Sequence, residues 1–462
     1  MDDAAVALSH GGGRPGGREA RPRSRRVRLA AGACLAGLAL ANAAAVVALW
    51  WHAGGVSNVR GAGEALTSAG RITALLGAYL ALVAVLLLAR VPVLERLVGF
   101  DRLTGWHRHA ARACLALLLA HAALTTAGLT VGDRVSLPRE LGRLISQYPG
   151  VITATAGLAL LVGVALTSTV VARRRLRYET WYFVHLYTYL AIALAFSHQI
   201  ATGKDFVGDP GARVYWTALY LVTLGALVLF RIAAPLALGA RHRLRVERVV
   251  EEAAPGVISI EIGGDRLERL RVRPGQFFLW RFLTRGRWWQ AHPFSLSAAP
   301  DGRRLRITVK DSGDFTAGLR VLRPGTPVLA EGPFGAFTAE ARRRQRVALI
   351  AGGAGITPIR ALFETLPGGP GEVALLYRAQ RPEELVFREE LDELARRRGA
   401  EVHYVVGGDS ALSAQALARL LPDVGQRDVF VCGPPAMVEA TRTSLREAGV
   451  PGRHIFTERF AL

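Results

Sequence analysis

Apolar residues run long and unbroken through the first half of this chain, then break into short clusters separated by glycine and proline. The first run is Val27–Trp50, and others follow at about 71–89, 107–130, 150–171, 181–199 and 213–235. About 20 apolar residues in a helix cross the hydrocarbon core of a bilayer, so six transmembrane helices are predicted. Past Arg241 the pattern shortens. Leu244–Val250, Val257–Ile262, Gln276–Phe282, Leu305–Val309 and Pro327–Ala330 read as strands bounded by turns such as Pro274-Gly275 and Pro324-Gly325, the pattern of an antiparallel β-barrel. From Arg346 strands alternate with helices. The strands are Val347–Ala351, Val373–Tyr377, Val402–Val405 and Val429–Cys432, and the helices are Ile359–Leu366, Glu384–Arg397, Ala414–Leu420 and Ala436–Ala448. That alternation builds a doubly wound α/β sheet.

The predicted organisation is multidomain. Residues 1–26 form a disordered basic tail, 27–240 a six-helix transmembrane domain, 241–342 an antiparallel β-barrel and 343–462 a doubly wound α/β domain. An apolar run behind a basic stretch also fits a secretory signal. The length of Val27–Trp50 and the five runs behind it favour a first membrane helix.

Charge orients the bundle. The chain of 462 residues carries a net +21, from 58 Lys and Arg against 37 Asp and Glu. Arginines crowd the tail (Arg18, Arg21, Arg23, Arg25, Arg26, Arg28), the second–third loop (Arg90, Arg96, Arg102, Arg108), the fourth–fifth loop (Arg173, Arg174, Arg175, Arg177) and the exit from the sixth helix (Arg241, Arg243, Arg245). Basic loops stay on the cytoplasmic side. The chain is thus expected to be a multi-pass cell-membrane protein with its N-terminus and both soluble domains cytoplasmic. Its macromolecular environment is the lipid bilayer, and topology rather than nucleic acid accounts for the charge. The three cysteines, Cys34, Cys114 and Cys432, are too few and scattered for a disulfide framework or a zinc site.

Four histidines stand inside the apolar stretches. His107 and His121 are 14 residues apart in one, His185 and His198 13 apart in another, each pair spanning about 20 Å of helix. Histidine at membrane depth usually marks a functional site, and imidazole is an axial ligand of haem iron. Two helices with an upper and a lower imidazole each would clamp two stacked haems; the alternative is four unrelated helix-interior or interfacial histidines. With no C-x-x-C-H in the chain, such haems would be non-covalent, of b type. At 100° per residue, 14 residues return to within about 40° of the starting face, whereas 13 miss by about 140°. A bulge or different approach angles must make up that difference. His109 lies about 120° off His121 and is read as interfacial.

In the soluble half, Ala348–Ala351 runs into Gly352-Gly353-Ala354-Gly355-Ile356-Thr357-Pro358. Thr357 and Pro358 are expected as N-cap and first residue of a helix. Small residues there let a pyrophosphate approach the helix N-terminus; a tight β–α turn without a ligand reads the same. Around it stand His292-Pro293-Phe294-Ser295-Leu296-Ser297, Val309-Lys310-Asp311-Ser312-Gly313-Asp314-Phe315-Thr316, Glu331-Gly332-Pro333-Phe334-Gly335, Val431-Cys432-Gly433-Pro434-Pro435 and Glu458-Arg459-Phe460.

In this order the motifs resemble the ferredoxin–NADP reductase superfamily, in the membrane-fused form of ferric reductases and NADPH oxidases. The resemblance covers roughly residues 75–462. It implies FAD against His292, Pro293, Phe294 and Ser295, with Phe294 flanking the flavin and Ser295 near the nitrogen that accepts hydride. Lys310, Gly313 and Thr316 fall in the motif around the FAD pyrophosphate, and His292 stands where soluble members often carry an arginine for that group. It implies NAD(P) against Gly352, Gly353, Gly355, Thr357, Cys432, Gly433 and Pro434. Cys432 lies beside the nicotinamide, Glu458 is the C-terminal acid, and Phe460 stacks on the isoalloxazine; with Ser295 these are the expected catalytic residues. His107, His121, His185 and His198 match the family's two-haem pattern. Trp288-Trp289 read as core, or as a cover for the adenine.

The implied activity is an NAD(P)H-dependent flavohaem oxidoreductase that moves electrons from the cytoplasm through FAD and two haems to an acceptor outside. Arg378 and Arg381, after the strand ending at Tyr377, suit a ribose 2′-phosphate and favour NADPH over NADH. The outward loops at about 51–70, 131–149 and 200–212 contain one histidine, His52, and no cysteine or methionine, so they build no soft metal site. Their acids and bases interleave and leave no large apolar patch. A small diffusing acceptor, oxygen or a ferric chelate, is therefore expected; the competing readings are a quinone or protein partner, and a redox sensor without turnover.

Overall fold

The computed structural model describes residues 25–169, 178–203 and 209–459. Five of its helices are long and apolar enough to cross a membrane, or six if a bent pair counts as one span. They are α1 (Arg25–Trp50), α2 (Ala62–Leu87), α4 (Phe100–Asp133), α7 (Tyr178–Thr202) and α8 (Pro210–Leu227), with α3 (Pro92–Val98) between α2 and α4. Asp209 caps α8 by accepting from the Gly211 and Ala212 amides, and a π-turn at Val228–Ala233 carries the helix into α9 (Ala234–His242). Large apolar side chains such as Leu221, Val222, Leu229 and Ile232 are more than half exposed. A soluble bundle would bury them; here lipid is the solvent that suits them.

The bent pair revises the expected fourth span and the loop before it. Residues 131–149 are not irregular: Leu137–Gln147 forms a helix, α5, set at 109° to α6 (Val151–Thr167). Leu137, Leu141 and Ile145 recur every four residues and stay exposed on one face, beside Tyr148 and Ile152. The expectation of no apolar patch on that side is therefore wrong, because counting charges along a loop misses a helical stripe. Helices also start earlier than the apolar runs suggest, at Ala62 and Phe100, since polar first turns belong to the helix without belonging to the run.

The tightest packing in the membrane half joins α2 to α4. Gly63, Gly70, Gly77 and Ala84 recur at sevens along α2, and His107, Cys114, His121 and Gly128 at sevens along α4. A Cβ added at Gly63 would lie 2.8 Å from the Gly128 carbonyl, and one at Gly128 would lie 2.6 Å from the Thr67 amide. Only glycine admits that approach, which is how helices associate where lipid removes the hydrophobic drive. A period of seven on both partners is the repeat of a coiled-coil seam. His107 and His121, two such repeats apart, both turn Nδ1 to α2 carbonyls, at Ala84 and Gly70.

The first soluble domain has six strands in two three-stranded antiparallel sheets, ordered β1-β2-β5 and β4-β3-β6. They are β1 (Arg245–Glu251), β2 (Val257–Gly263), β3 (Phe277–Phe282), β4 (His292–Ser295), β5 (Arg304–Lys310) and β6 (Val328–Phe334), with the short helix α10 (Asp314–Ala317) between β5 and β6. Bridges at Arg245–Pro327 and Leu296–Ile307 join the sheets around a core containing Ile260, Phe278, Trp280 and Ile307. The short strand β4 has no alternating pattern and was not predicted. The second domain has a five-stranded parallel sheet, ordered β11-β10-β7-β8-β9. Its strands are β7 (Val347–Gly352), β8 (Val373–Ala379), β9 (Glu401–Val406), β10 (Asp428–Gly433) and the unpredicted β11 (Ile455–Arg459), with α11 (Ile356–Thr365) following β7 and α12 (Arg388–Arg398) preceding β9. The order reverses between β7 and β10, and ligands bind at such a switch point.

The two soluble domains meet through apolar packing, with Ala254, Val257 and Phe337 of the first in the core of the second, and through charge. Glu390 on α12 accepts from both Arg306 terminal nitrogens (2.8 and 2.9 Å) and from Arg360 Nε (2.9 Å). Burial pushes its carboxyl up, but the two guanidiniums outweigh that and hold it below the usual range. A depressed native value contributes stability above the unfolded value of about 4.3, lost as pH falls through the lower native one. Glu390→Gln should therefore cost about 1–2 kcal/mol at pH 7, a figure reduced for the carboxylate's partial exposure. Thermal melts followed by tryptophan fluorescence should show the gap to wild type closing below about pH 4; a gap independent of pH would refute the assignment.

Candidate functional site

A cavity of about 240 Å³ lies between the two soluble domains, at the carboxyl ends of β7 and β10. The first domain lines it with Val257, Thr308 and Lys310, and the second with Gly352, Gly353, Thr357, Arg378, Gln380, Pro434 and Met437. Lys310, the glycine turn, Arg378 and Pro434, dispersed in sequence, thus meet in one cleft. Gly353 has φ +52° and a Cβ there would touch nothing within 4 Å, so its backbone is open to a ligand. Gly355 does a different job: a Cβ there would sit 2.1 Å from the Cys432 carbonyl, so this glycine lets the turn close onto β10. The expected N-cap at Thr357 is also revised. A 3₁₀ turn over Gly353–Gly355 runs straight into α11, which starts at Ile356, and the Thr357 hydroxyl donates back to the Ala354 carbonyl at 2.9 Å.

Cys432 is fully buried on β10, in parallel register with Glu458 on β11. Burial, reinforced by the nearby Glu458 charge, pushes its thiol well above the usual value. This cysteine is a neutral packing element beside the cleft and not a thiolate nucleophile. Arg381 stays on the surface, ion-paired to Glu383 (3.4 Å) and Glu384 (3.1 Å), and is absent from the cavity lining. Phe460 lies outside the described residues, as do the tail before Arg25 and Arg173 to Arg177.

The second group of residues surrounds β4. Ser295 is buried, opposite Phe277 in the ladder, and Trp280 Nε1 donates to the Phe294 carbonyl at 3.0 Å. His292 stacks on Phe315 with ring centres 3.6 Å apart, near-parallel to Phe294. The Gly313–Thr316 turn is closed by the Thr316 hydroxyl, which accepts from the Ser312 amide at 2.9 Å, and a Cβ at Gly313 would meet nothing within 4 Å. The space beside Gly313 is open to a ligand, while the Ser312 amide donates to Thr316 and the Gly313 amide to Asp311 Oδ1 at 3.5 Å. Arg287, not singled out from sequence, lays its guanidinium directly on Gly318 in the same segment. It brings a cation close to where His292 replaces one. The Trp289 ring meets Phe183 of α7 at 4.9 Å, while Trp288 is 63% exposed.

In the membrane half the rings of His107 and His185 face each other across α4 and α7, with centres 6.1 Å apart at 62°. One iron bonded to a nitrogen of each ring at about 2 Å would hold two imidazoles at nearly this separation. His107 Nδ1 bonds the Ala84 carbonyl at 3.0 Å and His121 Nδ1 the Gly70 carbonyl at 2.9 Å. His198 is hydrogen-bonded to the Pro149 carbonyl. A carbonyl only accepts, so Nδ1 of His107 and of His121 carries the proton and Nε2 keeps its lone pair, the usual arrangement of a metal-ligating histidine. The residues therefore fit bis-imidazole ligation. The 13-residue interval is not absorbed by a bulge, because α7 is continuous from Tyr178 to Thr202; different approach angles remain. His109 bonds its own helix at Gly105 and stays apart.

Residues 73–196 match the family described as ferric reductase like transmembrane component, 257–338 an FAD-binding domain family, and 349–443 the oxidoreductase NAD-binding domain family. The chain thus joins a ferric reductase-like transmembrane component to FAD-binding and NAD-binding oxidoreductase domains. It is similar to the ferredoxin reductase component of 3-ketosteroid-9-alpha-monooxygenase from Mycolicibacterium smegmatis, at 31% identity over 47% of this chain and 65% of that one. A flavohemoprotein of Deinococcus radiodurans matches at 30% over 47% of this chain and 58% of its own. Among solved structures, the flavohem-like FAD/NAD binding domain of nitric oxide dioxygenase from Vibrio cholerae aligns at 25% identity and a TM-score of 0.42, covering 47% of this chain and 98% of that one. The chain spans less than two-thirds of the length of both curated relatives.

The environment of Cys432 yields a check. In the folded protein at pH 8 it should resist iodoacetamide for hours and react within minutes once denatured, read by mass spectrometry of the Val429–Gly433 peptide. Rapid native labelling would contradict the buried, neutral assignment.

Proposed function

We propose that this ferric reductase-like protein moves electrons from cytoplasmic NAD(P)H, through FAD and two b-type haems, to a small acceptor on the opposite side of the membrane. The observation that carries the reading is the facing pair His107–His185, whose helix α7 touches the flavin-type domain two residues away, through Phe183 and Trp289. Flavin supplies the conversion of a hydride pair into single electrons, which haem iron takes one at a time. The chain's own residues do the rest. The interdomain cleft holds the nicotinamide nucleotide, with Gly352 and Gly353 under its phosphates and Cys432 behind it. Gly313 and Thr316 hold the FAD pyrophosphate, and Ser295 and Phe294 flank the flavin. His107 with His185, and His121 with His198, hold the inner and outer haem, and the α2 carbonyls of Ala84 and Gly70 fix two of these rings.

His121→Ala with His198→Ala should halve extractable haem, from about two to about one per chain, while leaving flavin content unchanged. Full haem retention would refute the ligand assignment. NADPH is the preferred donor, and the preference rests on Arg378 and Lys310 in the cleft, since Arg381 is engaged elsewhere. Arg378→Ala should lower kcat/KM for NADPH about tenfold or more and leave NADH little changed. A wild-type kcat/KM higher for NADH would overturn it.

Oxygen or a ferric chelate is the acceptor favoured by the hard, mixed-charge outer loops. The apolar stripe Leu137, Leu141, Ile145 gives a second reading, a quinone or membrane partner met at α5. NADPH oxidation in vesicles, with oxygen, ferric citrate and a short-chain quinone supplied in turn, separates them: turnover with quinone alone would displace the first reading.

A further inference from the structure

Four charged side chains, from two helical segments, one loop and one strand, meet where the membrane half joins the flavin-type domain. Glu331 of β6 is 6% exposed. It accepts from Arg231 at 3.2 Å and lies 3.9 Å from Arg90, which in turn holds Glu95 of α3 at 3.3 Å. Each element is bent to bring its charge there. Arg231 sits in the π-turn Val228–Ala233, and single π-turns inside α-helices mark functional sites. Arg90 holds φ +63°, a left-handed backbone that costs a non-glycine residue energy. Its guanidinium is sandwiched between Phe100 of α4 at 4.4 Å and Phe334 of β6 at 4.8 Å. The β3–β6 ladder slips between Phe277 and Leu279, opposite Phe334 and Glu331, and such irregularities re-aim side chains.

The cluster faces the helix of the inner histidine. Tyr182 and Tyr189, about one turn to either side of His185, lie within electrostatic reach of the Arg231 guanidinium. Two uncharged contacts bear on the same junction: Phe183 against Trp289 at 4.9 Å, and Gly239 of α9, where a Cβ would lie 2.6 Å from Leu329 Cδ2 of β6. Burying two cations and two anions gains little stability over apolar packing of the same volume. What paired buried charges do is fix one register and reject others, because any shift strands a charge.

We propose that Arg90, Glu95, Arg231 and Glu331 form a latch that seats strand β6 of the flavin-type domain on the α2–α3 connection and the π-turn after α8, beside the inner-histidine helix, and so sets the approach of the flavin to the inner haem. The four are positioning residues and touch neither cofactor. The proposal rests on the electron path given above, and its test separates the two. Full-length wild type, Glu331→Gln, Arg231→Gln and the double variant are compared in lipid nanodiscs by hydrogen exchange and by anaerobic stopped-flow with NADPH. Each single variant should raise exchange at Val328–Phe334 and Ala234–His242 by tenfold or more, with the β7–β10 strands still protected. Flavin bleaching should stay within twofold of wild type while haem reduction slows at least tenfold, and the double variant should be no worse than the worse single one, as expected for partners in one interaction. Unchanged exchange and haem reduction, or additive losses in the double variant, would overturn the latch. So would exchange rising throughout the second domain. If wild type bleaches flavin but shows no haem band, the haem reading falls, and the exchange pattern still decides whether the latch exists.

Discussion

The close approach of α2 and α4 is the constraint on which the membrane half depends. Because Gly63 and Gly128 admit backbone against backbone, α2 carbonyls come within hydrogen-bond range of α4 imidazoles. The Ala84 and Gly70 carbonyls then determine which nitrogen of His107 and His121 carries the proton. A metal-ligating ring free to rotate would lose orientation and affinity together. Both bonds recur at the same spacing along both helices, so one packing mode builds two equivalent levels. The partners on α7 are held differently: Trp181 lies 5.1 Å from His185 and donates to Ser168 at 3.1 Å, and Gly150 comes so near His198 that a Cβ would be 3.0 Å from its Cα. The two levels are therefore equivalent on one side and individual on the other, and this is where the 13-residue interval is accommodated.

The soluble half depends on a different economy. Its parallel sheet buries β7 and β10 completely, and the glycines at their carboxyl ends bring two turns together at the switch point. Nothing in that core is reactive, since Cys432 is kept protonated by the same burial that makes it fit. Binding capacity lies in backbone amides and in Lys310 and Arg378, which come from different domains. The contacts between the domains, among them the Arg306–Glu390 pair and the Ala299 amide donating to Glu364, therefore shape the cleft.

How much was legible in the sequence follows from which interactions are local. Helices and buried strands carry their own period, so α7 and the strands β7, β8 and β10 are legible to within a few residues, while α2 and α4 are legible as helices but begin earlier than their apolar runs. The histidine pairs were legible because two matched spacings at membrane depth are rare. The strands β4 and β11 were not, because β4 is four residues with a proline in it and β11 has no alternation to read. The α5 stripe was hidden by interleaved charges that occupy its other face. Arg381 shows the opposite failure. A cation in the right stretch of chain looked like a phosphate ligand, and only the fold shows that Glu383 and Glu384 reach it first.

The charges at the junction of the halves could not be read at all. Arg90 reads as one of the arginines that orient the bundle, and nothing in the sequence singles out Arg231. Glu331 was one letter of a motif whose interest lay in its glycine and proline. Arg90 and Arg231 reach Glu331 from 100 residues away or more, and no periodicity links them. A membrane bundle and a water-soluble domain share no hydrophobic driving force, because the bundle's apolar surface is already solvated by lipid. A junction between them has to be specified by directional contacts. Buried ion pairs suit that task because their cost falls on every misaligned arrangement.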